Sequence, residues 1–376
     1  MKKESVISTG FLLLVLAVAI IMGLTVIRDA FERLYVLKMS EVLFTLLVLF
    51  VGFVFNIVIM ELAHVLGAKI GKCKVVSVNC YFLCLKKTKE GWKFGVDDFD
   101  GLTGETKILK TEKSKLNAYV WMPIVFYAAE LAACILLYSM GNGATDVSSL
   151  KWLAIAALLW IILSSILFVY DFIPFKLDTF NDGYRLSLLT KPDDAKALLD
   201  YMDYQGKISY GDEQNTLTFN EKMTDFTVEM NLVVIENEIL SRKYNEALEM
   251  LLKIKQSQSK INPYLLKKVT SQDMFVRLMT KPLEEVKKYY KENVNDNDGK
   301  FISNDGNIDS VRAYSLIAGL IDDSPFEVQY ALSKKEKAIK RCPKHLVDSE
   351  NKLFEDVVKK IYEKHPEWNS KEKDIA

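Results

Sequence analysis

A glutamate and a histidine, Glu61 and His64, lie three residues apart near the end of an apolar run. The zinc pattern H-E-x-x-H places two histidines on one face of a helix as metal ligands, while the glutamate between them acts on the metal-bound water. This chain has the glutamate and the second histidine, but Met60 stands where the first histidine belongs. The spacing therefore indicates zinc-dependent hydrolytic chemistry with one ligand replaced by a thioether, a donor better suited to Cu(I) than to Zn(II).

Two further polar residues lie inside apolar runs and bear on the same site. Glu130 interrupts one run, and a carboxyl group inside a membrane is costly enough that a functional role is its first interpretation. It could complete a metal-ligand set with His64, or it could pair with a polar group on a neighbouring span. Asn56 shares a helical stripe with Met60 and His64, so it could bind a substrate or a water, or form an interhelical hydrogen bond.

The sequence has four apolar runs that are long enough to cross a membrane, since a transmembrane helix needs about 20 apolar residues to cross a hydrocarbon core of about 30 Å. The first run, 5–27, has 23 uncharged residues, which is too long for the apolar core of a signal peptide and predicts an uncleaved anchor. The other three predicted spans are residues 42–60, 116–140 and 152–170.

Loop charges set the expected orientation of these spans. Residues 69–115 carry 11 lysines and arginines, whereas the connection 141–150 carries none. Loops rich in positive charge stay in the cytoplasm, so four spans place both termini there. We therefore expect an integral membrane protein, in the plasma membrane of a bacterium, with the lipid bilayer as its first partner.

The segment around His64 resembles the site-2 protease family of intramembrane zinc metalloproteases. The pentapeptide M-E-L-A-H at 60–64 belongs to a predicted span and is followed by the small residues Gly67, Ala68 and Gly71, as in that family. The family then has a basic cytoplasmic segment that forms short strands, and residues 72–85 are strand-like here.

A second segment, after the last predicted span, is similar to the Asn-x-x-Pro and Asp-Gly motif of the same family. It reads D-F-I-P-F-K-L-D-T-F-N-D-G, from Asp171 to Gly183. Asp182 and Gly183 match the Asp-Gly pair, whereas Asp171 stands where the family prefers Asn and the interval after the proline is longer. Asp178 is the alternative ligand, although no glycine follows it. The resemblance covers roughly residues 40–190.

The resemblance implies roles for individual residues. His64 and Asp182 would bind zinc, and Glu61 would be the catalytic base that takes a proton from the zinc-bound water. Met60 cannot be the remaining ligand in the usual way, and Glu130 could complete the metal set if the third span packs against the second. Three interpretations stay open: an active intramembrane peptidase with an atypical site, a homologue that lost its metal and binds membrane segments without cutting them, or a chance similarity.

The composition changes after Thr190. Of the 49 basic and 49 acidic residues, 19 and 16 precede that point and 30 and 33 follow it, so the neutral total excludes a basic nucleic-acid binder. We predict a mainly α-helical fold. Residues 1–190 would form a membrane domain of four transmembrane helices with a short cytoplasmic β segment, and residues 191–376 an α-helical, repeat-like cytoplasmic domain that could dock a protein partner.

Apolar periodicity in the second half predicts a helical hairpin from residues 231–240 and 243–254. Part of it is reminiscent of tetratricopeptide repeats, although no 34-residue period returns. The acidic, glycine-containing stretch 293–309 does not fit the register of a calcium loop and predicts a polar loop. Further helices are predicted near 263–278, 283–293, 309–321, 327–341 and 346–364.

Overall fold

The chain divides into two compact units, Met1–Asn215 and Thr216–Ala376. This division lies further along the chain than the compositional change after Thr190. The computed structural model describes residues 39–80, 83–88, 90–96, 104–142, 149–174, 180–212 and 216–368.

Within its described residues, the first unit consists of five helices and a four-stranded sheet. In chain order the elements are α1 (Met39–Ile70), β1 (Lys74–Cys80), β2 (Leu83–Thr88), β3 (Gly91–Val96), β4 (Gly104–Leu109), α2 (Asn117–Asn142), α3 (Ser149–Phe172), α4 (Asp182–Leu189) and α5 (Pro192–Tyr210).

Three of these helices are long and apolar enough to cross a membrane, and they correspond to three of the four predicted spans. The predicted span 5–27 lies outside the described residues. Helix α1 continues past Met60, so Glu61 and His64 lie inside the helix rather than at its end. The membrane-length segments are Leu43–Ile70, Asn117–Gly141 and Trp152–Phe172.

The sheet is antiparallel with strand order β3-β2-β1-β4, which confirms the short β segment predicted after α1. Helix α5 covers the β4 side of the sheet. The backbone N–H of Lys110 donates to Asp203 on α5 at 2.7 Å. Gly206 on α5 lies so close to Ile108 that a Cβ there would be 2.0 Å from the Ile108 carbonyl oxygen. These contacts attach α5 to the sheet, which explains why the first unit extends beyond residue 190.

Two glycines at the end of α1 bring its backbone against the start of α2. A Cβ on Gly67 would lie 2.4 Å from the carbonyl oxygen of Ala118, and one on Gly71 would lie 2.2 Å from that of Lys115. The backbone N–H of Lys115 also donates to the Gly71 carbonyl at 2.9 Å. Glycine at both positions therefore sets the distance between the two helices.

We expect Gly67→Leu to destabilise the first unit by about 1–3 kcal/mol, because the added side chain meets backbone atoms that cannot rotate away. Thermal unfolding of the purified chain in detergent measures the effect. Gly95→Leu is the matched control, since Gly95 is exposed and a Cβ there meets nothing within 4 Å. Equal melting temperatures for the two variants would contradict the close approach of α1 and α2.

The second unit is entirely helical within its described residues, and most of its helix positions agree with the predicted ones. Its helices are α6 (Asp225–Leu240), α7 (Tyr244–Gln256), α8 (Pro263–Thr280), α9 (Leu283–Asn293), α10 (Asp296–Asn304), α11 (Ile308–Leu316), α12 (Pro325–Ser333), α13 (Lys335–Ile339) and α14 (Val347–Lys364).

Helices α6 and α7 form the predicted hairpin, but the predicted polar loop 293–309 is wrong because it contains α10. The side chain of Asn295 accepts hydrogen bonds from the backbone N–H groups of Asn297 and Asp298, which caps the first turn of α10. Ile302 then anchors the helix in the core at 1% exposure.

The core of the second unit encloses a charged cluster around Arg312. The guanidinium is 1% exposed. It donates from Nη1 to Glu350 Oε2 at 2.7 Å and from Nη2 to Glu236 Oε1 at 2.6 Å. Its centre lies 5.0 Å from the centroid of the Phe275 ring. One arginine on α11 thus links α6 and α14 across the core.

Candidate functional site

His64 on α1 and Asp182 at the start of α4 are in direct contact. His64 Nε2 lies 3.0 Å from Asp182 Oδ2, and both side chains are buried. The other carboxylate oxygen of Asp182 accepts a hydrogen bond from Arg185 Nη1, also at 3.0 Å. The structure therefore brings together two residues 118 positions apart that the family resemblance assigns to one metal site.

Asp182 reaches this position because of the residues beside it. Gly183 lies against the end of α3, where a Cβ would be 2.1 Å from the Phe172 carbonyl oxygen. Asn181 caps α4 by accepting from the Tyr184 N–H at 2.9 Å and donates to the Ile173 carbonyl at 2.6 Å. The Asp-Gly pair thus allows the first turn of α4 to pack on the last turn of α3.

The second ring nitrogen of His64 is held by α2. Nδ1 lies 3.2 Å from the carbonyl oxygen of Tyr119, and because that oxygen can only accept, Nδ1 donates the proton. The ring also stacks on the Tyr119 ring at a centroid distance of 4.5 Å. These contacts fix the ring and direct Nε2 at Asp182, in the manner of the outer partners of a metal-binding histidine.

Glu61 is bound to the sheet rather than to His64. Its Oε2 accepts a hydrogen bond from Thr106 Oγ1 on β4 at 2.6 Å. A Cβ on Gly104 would lie 2.5 Å from Glu61 Oε1, so the start of β4 covers the carboxyl group. Tyr119 closes the arrangement by donating from its hydroxyl to the Thr106 carbonyl at 2.8 Å. Glu61 is 4% exposed as a result.

The site is held together by charge as well as by packing. Burial alone would raise the pKa of the Asp182 carboxyl, but the positive charges of His64 and Arg185 outweigh burial and keep that pKa below its ordinary value. Asp182 therefore stays ionised. The backbone N–H of Asp182 points to a further carboxylate oxygen, Asp171 Oδ1, at 3.4 Å.

Glu130, the candidate third ligand, is placed elsewhere. Its Oε1 accepts hydrogen bonds from the Trp160 indole and from Ser164 Oγ, the latter at 2.8 Å, so it joins α2 to α3. Tyr119 is the residue of α2 that contacts His64. Glu130 follows it by 11 residues, so at ~1.5 Å per residue Glu130 lies about 16 Å further along α2. The alternative ligand Asp178 lies outside the described residues.

The donor set does not fit a catalytic zinc ion. Such a site has three protein ligands and a water, but His64 and Asp182 are the two donors of the predicted set that meet. Met60 supplies a thioether at the third position. No group of three or more histidine, cysteine, aspartate or glutamate side chains arranged to hold a metal ion occurs among the described residues.

Three residues of the site were not predicted from the sequence: Thr106, Tyr119 and Arg185. Arg185 follows Asp182 by three residues on a helix, a spacing typical of an ion pair, so its role could have been inferred. Thr106 and Tyr119 carry no local signal, because they reach the site from other elements.

Comparisons of the chain with protein-family models, with curated proteins and with solved structures find no match. The likeness to site-2 proteases therefore stays a prediction from the sequence motifs.

Proposed function

We propose that this chain is an integral membrane protein on the site-2-protease plan that does not cut peptide bonds and instead holds a segment of a partner protein. Three helices long and apolar enough to cross a bilayer support the membrane location. The contact of His64 with Asp182, and the position of Glu61 one turn before His64, support the relationship. A transmembrane helix is the class of partner that this architecture favours.

One observation carries the proposed loss of activity. One carboxylate oxygen of Asp182 lies 3.0 Å from His64 Nε2, a charge contact without a hydrogen bond, and the other accepts a hydrogen bond from Arg185 Nη1 at 3.0 Å. Its charge is therefore balanced by side chains. Met60 leaves the set of zinc ligands one short. The ion pairs of Asp182 with His64 and Arg185 hold the site together without zinc.

An intramembrane zinc peptidase with an atypical site is the second candidate. Three residues favour it, because they match the peptidase motifs in residue type and in their order along the chain: Glu61, His64 and Asp182. In that case a donor other than Met60 has to complete the metal site, and Glu61, whose Oε2 accepts a hydrogen bond from Thr106, has to accept a proton from water.

The proposed orientation follows from the basic segment between α1 and α2. With that segment in the cytoplasm of a bacterial cell, α2 crosses outward and α3 returns, so α4 and the polar site lie at the cytoplasmic side.

Metal content distinguishes the two candidates. We expect the full chain, purified in detergent without chelator and dialysed, to retain far less than one zinc per molecule, and to leave a transmembrane reporter peptide uncut. His64→Ala is the comparison, and it should not change the metal content. About one zinc per chain that disappears in His64→Ala would overturn the non-catalytic function and establish the peptidase candidate.

A further inference from the structure

The second unit contains a cleft of about 550 Å³, a size typical of ligand sites. One wall is a face of α8 that presents Leu266, Lys267 and Thr270. The lining also includes Tyr289 and Asn293 on α9 and Asp298 on α10. The lining residues of α8 run from Pro263 to Thr270, about 10 Å at ~1.5 Å per residue, which matches about three residues of an extended peptide.

A lysine is held in place at this cleft by a buried carboxylate. Lys255 Nζ donates to Asp273 Oδ2 at 2.5 Å and to the Tyr289 hydroxyl at 2.8 Å. Asp273 has no exposed surface and is itself fixed by Arg277 Nε at 2.9 Å. An ammonium group has three N–H donors. Two are used here, so the third is available to an acceptor in the cleft.

The remaining lining residues are suited to a peptide. Lys267 supplies a second positive charge, and Asp298 is the acidic residue among those that line the cleft, which leaves it with a positive balance. Gln258, Asn293 and Asn297 contribute side-chain amides. Each amide carries both a donor and an acceptor, as a peptide bond does.

We propose that this cleft binds a short, extended peptide that carries a carboxylate, with Lys255 and Lys267 as the residues that bind the carboxylate. Lys255 is fixed before the ligand arrives, which lowers the entropic cost of binding. The carboxylate is that of a chain terminus or of an acidic side chain. The site belongs to the second unit alone, so it is independent of whether the membrane site binds zinc.

Fluorescence anisotropy with the full chain in detergent tests this proposal. The probes are three alanine-serine tetrapeptides with an uncharged dye at the N-terminus: one with a free C-terminus, one amidated with an internal glutamate, and one amidated and neutral. We expect at least one carboxylate probe to bind about tenfold more tightly than the neutral probe, the size expected for a hydrogen bond to a charged group. The stronger of the two identifies the source of the carboxylate.

Variants locate the binding in the cleft. Lys267→Gln should lower the affinity for the carboxylate probe about tenfold. Thr270→Trp should prevent the probe from binding, because the indole fills the cleft. Lys288→Gln on α9 is the control, because Lys288 is 77% exposed and does not line the cleft. The proposal is wrong if all three probes bind equally or if none binds. It is also wrong if Lys267→Gln and Thr270→Trp keep the melting temperature of the parent chain and leave probe binding unchanged. Displacement of the probe by inorganic phosphate at equal concentration would likewise contradict it.

Discussion

Replacing Met60 with histidine is expected to convert a chain that retains no zinc into one that retains about one zinc per molecule. Residue 60 precedes His64 by about one turn of the continuous helix α1, so the two imidazoles would share a face. Nδ1 of His64 already donates to the Tyr119 carbonyl at 3.2 Å, so Nε2, which faces Asp182, is the atom that would bind the metal after losing its proton. Met60→His would thus supply the third ligand to two that are in place.

The controls for this experiment come from the same helix. Ile59→His adds an imidazole about 100° around the helix from position 60 and should retain no zinc. Adding His64→Ala to Met60→His should remove the metal again. Zinc is measured by elemental analysis after dialysis, alongside the melting temperature. A folded Met60→His chain without zinc would show that residues 60, 64 and 182 do not converge as a metal site.

The polar site was predictable where helix geometry or a tight backbone contact determines it. Three-residue spacing on a helix fixes Glu61 relative to His64 whatever surrounds them. Asp182 was predicted because Asp182 and Gly183 match the family's Asp-Gly pair, and the structure shows why a glycine follows it: the backbone of Gly183 lies against Phe172. The predicted site comprised Glu61, His64, Asp182 and Glu130, and of these the fold brings His64 and Asp182 into contact.

The partners of those residues were not predictable, since they depend on contacts between distant elements. Thr106 lies on a strand whose pattern gives no reason to expect a hydrogen bond to a carboxyl group on α1. For Glu130 the residue was easy to notice in the sequence, but its role was not predictable. A carboxyl group in an apolar helix is conspicuous in the sequence, but its depth along α2 and the facing Trp160 and Ser164 decide its role.

The second unit shows the same division between local and distant information. The hairpin of α6 and α7 follows from apolar periodicity within each helix. Helix α10 was missed because aspartate, asparagine and glycine make up most of its residues, whereas its formation depends on the Asn295 cap and on the burial of Ile302. The Arg312 cluster joins residues 236, 312 and 350, a combination that no local pattern reveals.

Replacing Arg312 with methionine is expected to destabilise the second unit by about 3–5 kcal/mol, because it leaves the buried carboxylate of Glu350 and the partly buried carboxylate of Glu236 without their counter-charge. Glu350 is 1% exposed, and its hydrogen bond from Arg312 at 2.7 Å would be lost together with the bond to Glu236. Hydrogen exchange of the second unit in the full chain measures the change in its free energy of unfolding.

A matched pair on the surface separates the effect of burial from that of charge. Arg242 also binds a carboxylate at 2.7 Å, but the side chains of Arg242 and Asp356 are 35% and 44% exposed. Because water screens such a pair, Arg242→Met should cost about 0–1 kcal/mol. Adding Glu350→Leu to Arg312→Met should recover part of the lost stability, since it removes one of the two unpaired charges. Equal losses for Arg312→Met and Arg242→Met would mean that the Arg312 cluster is solvated and does not hold α6, α11 and α14 together.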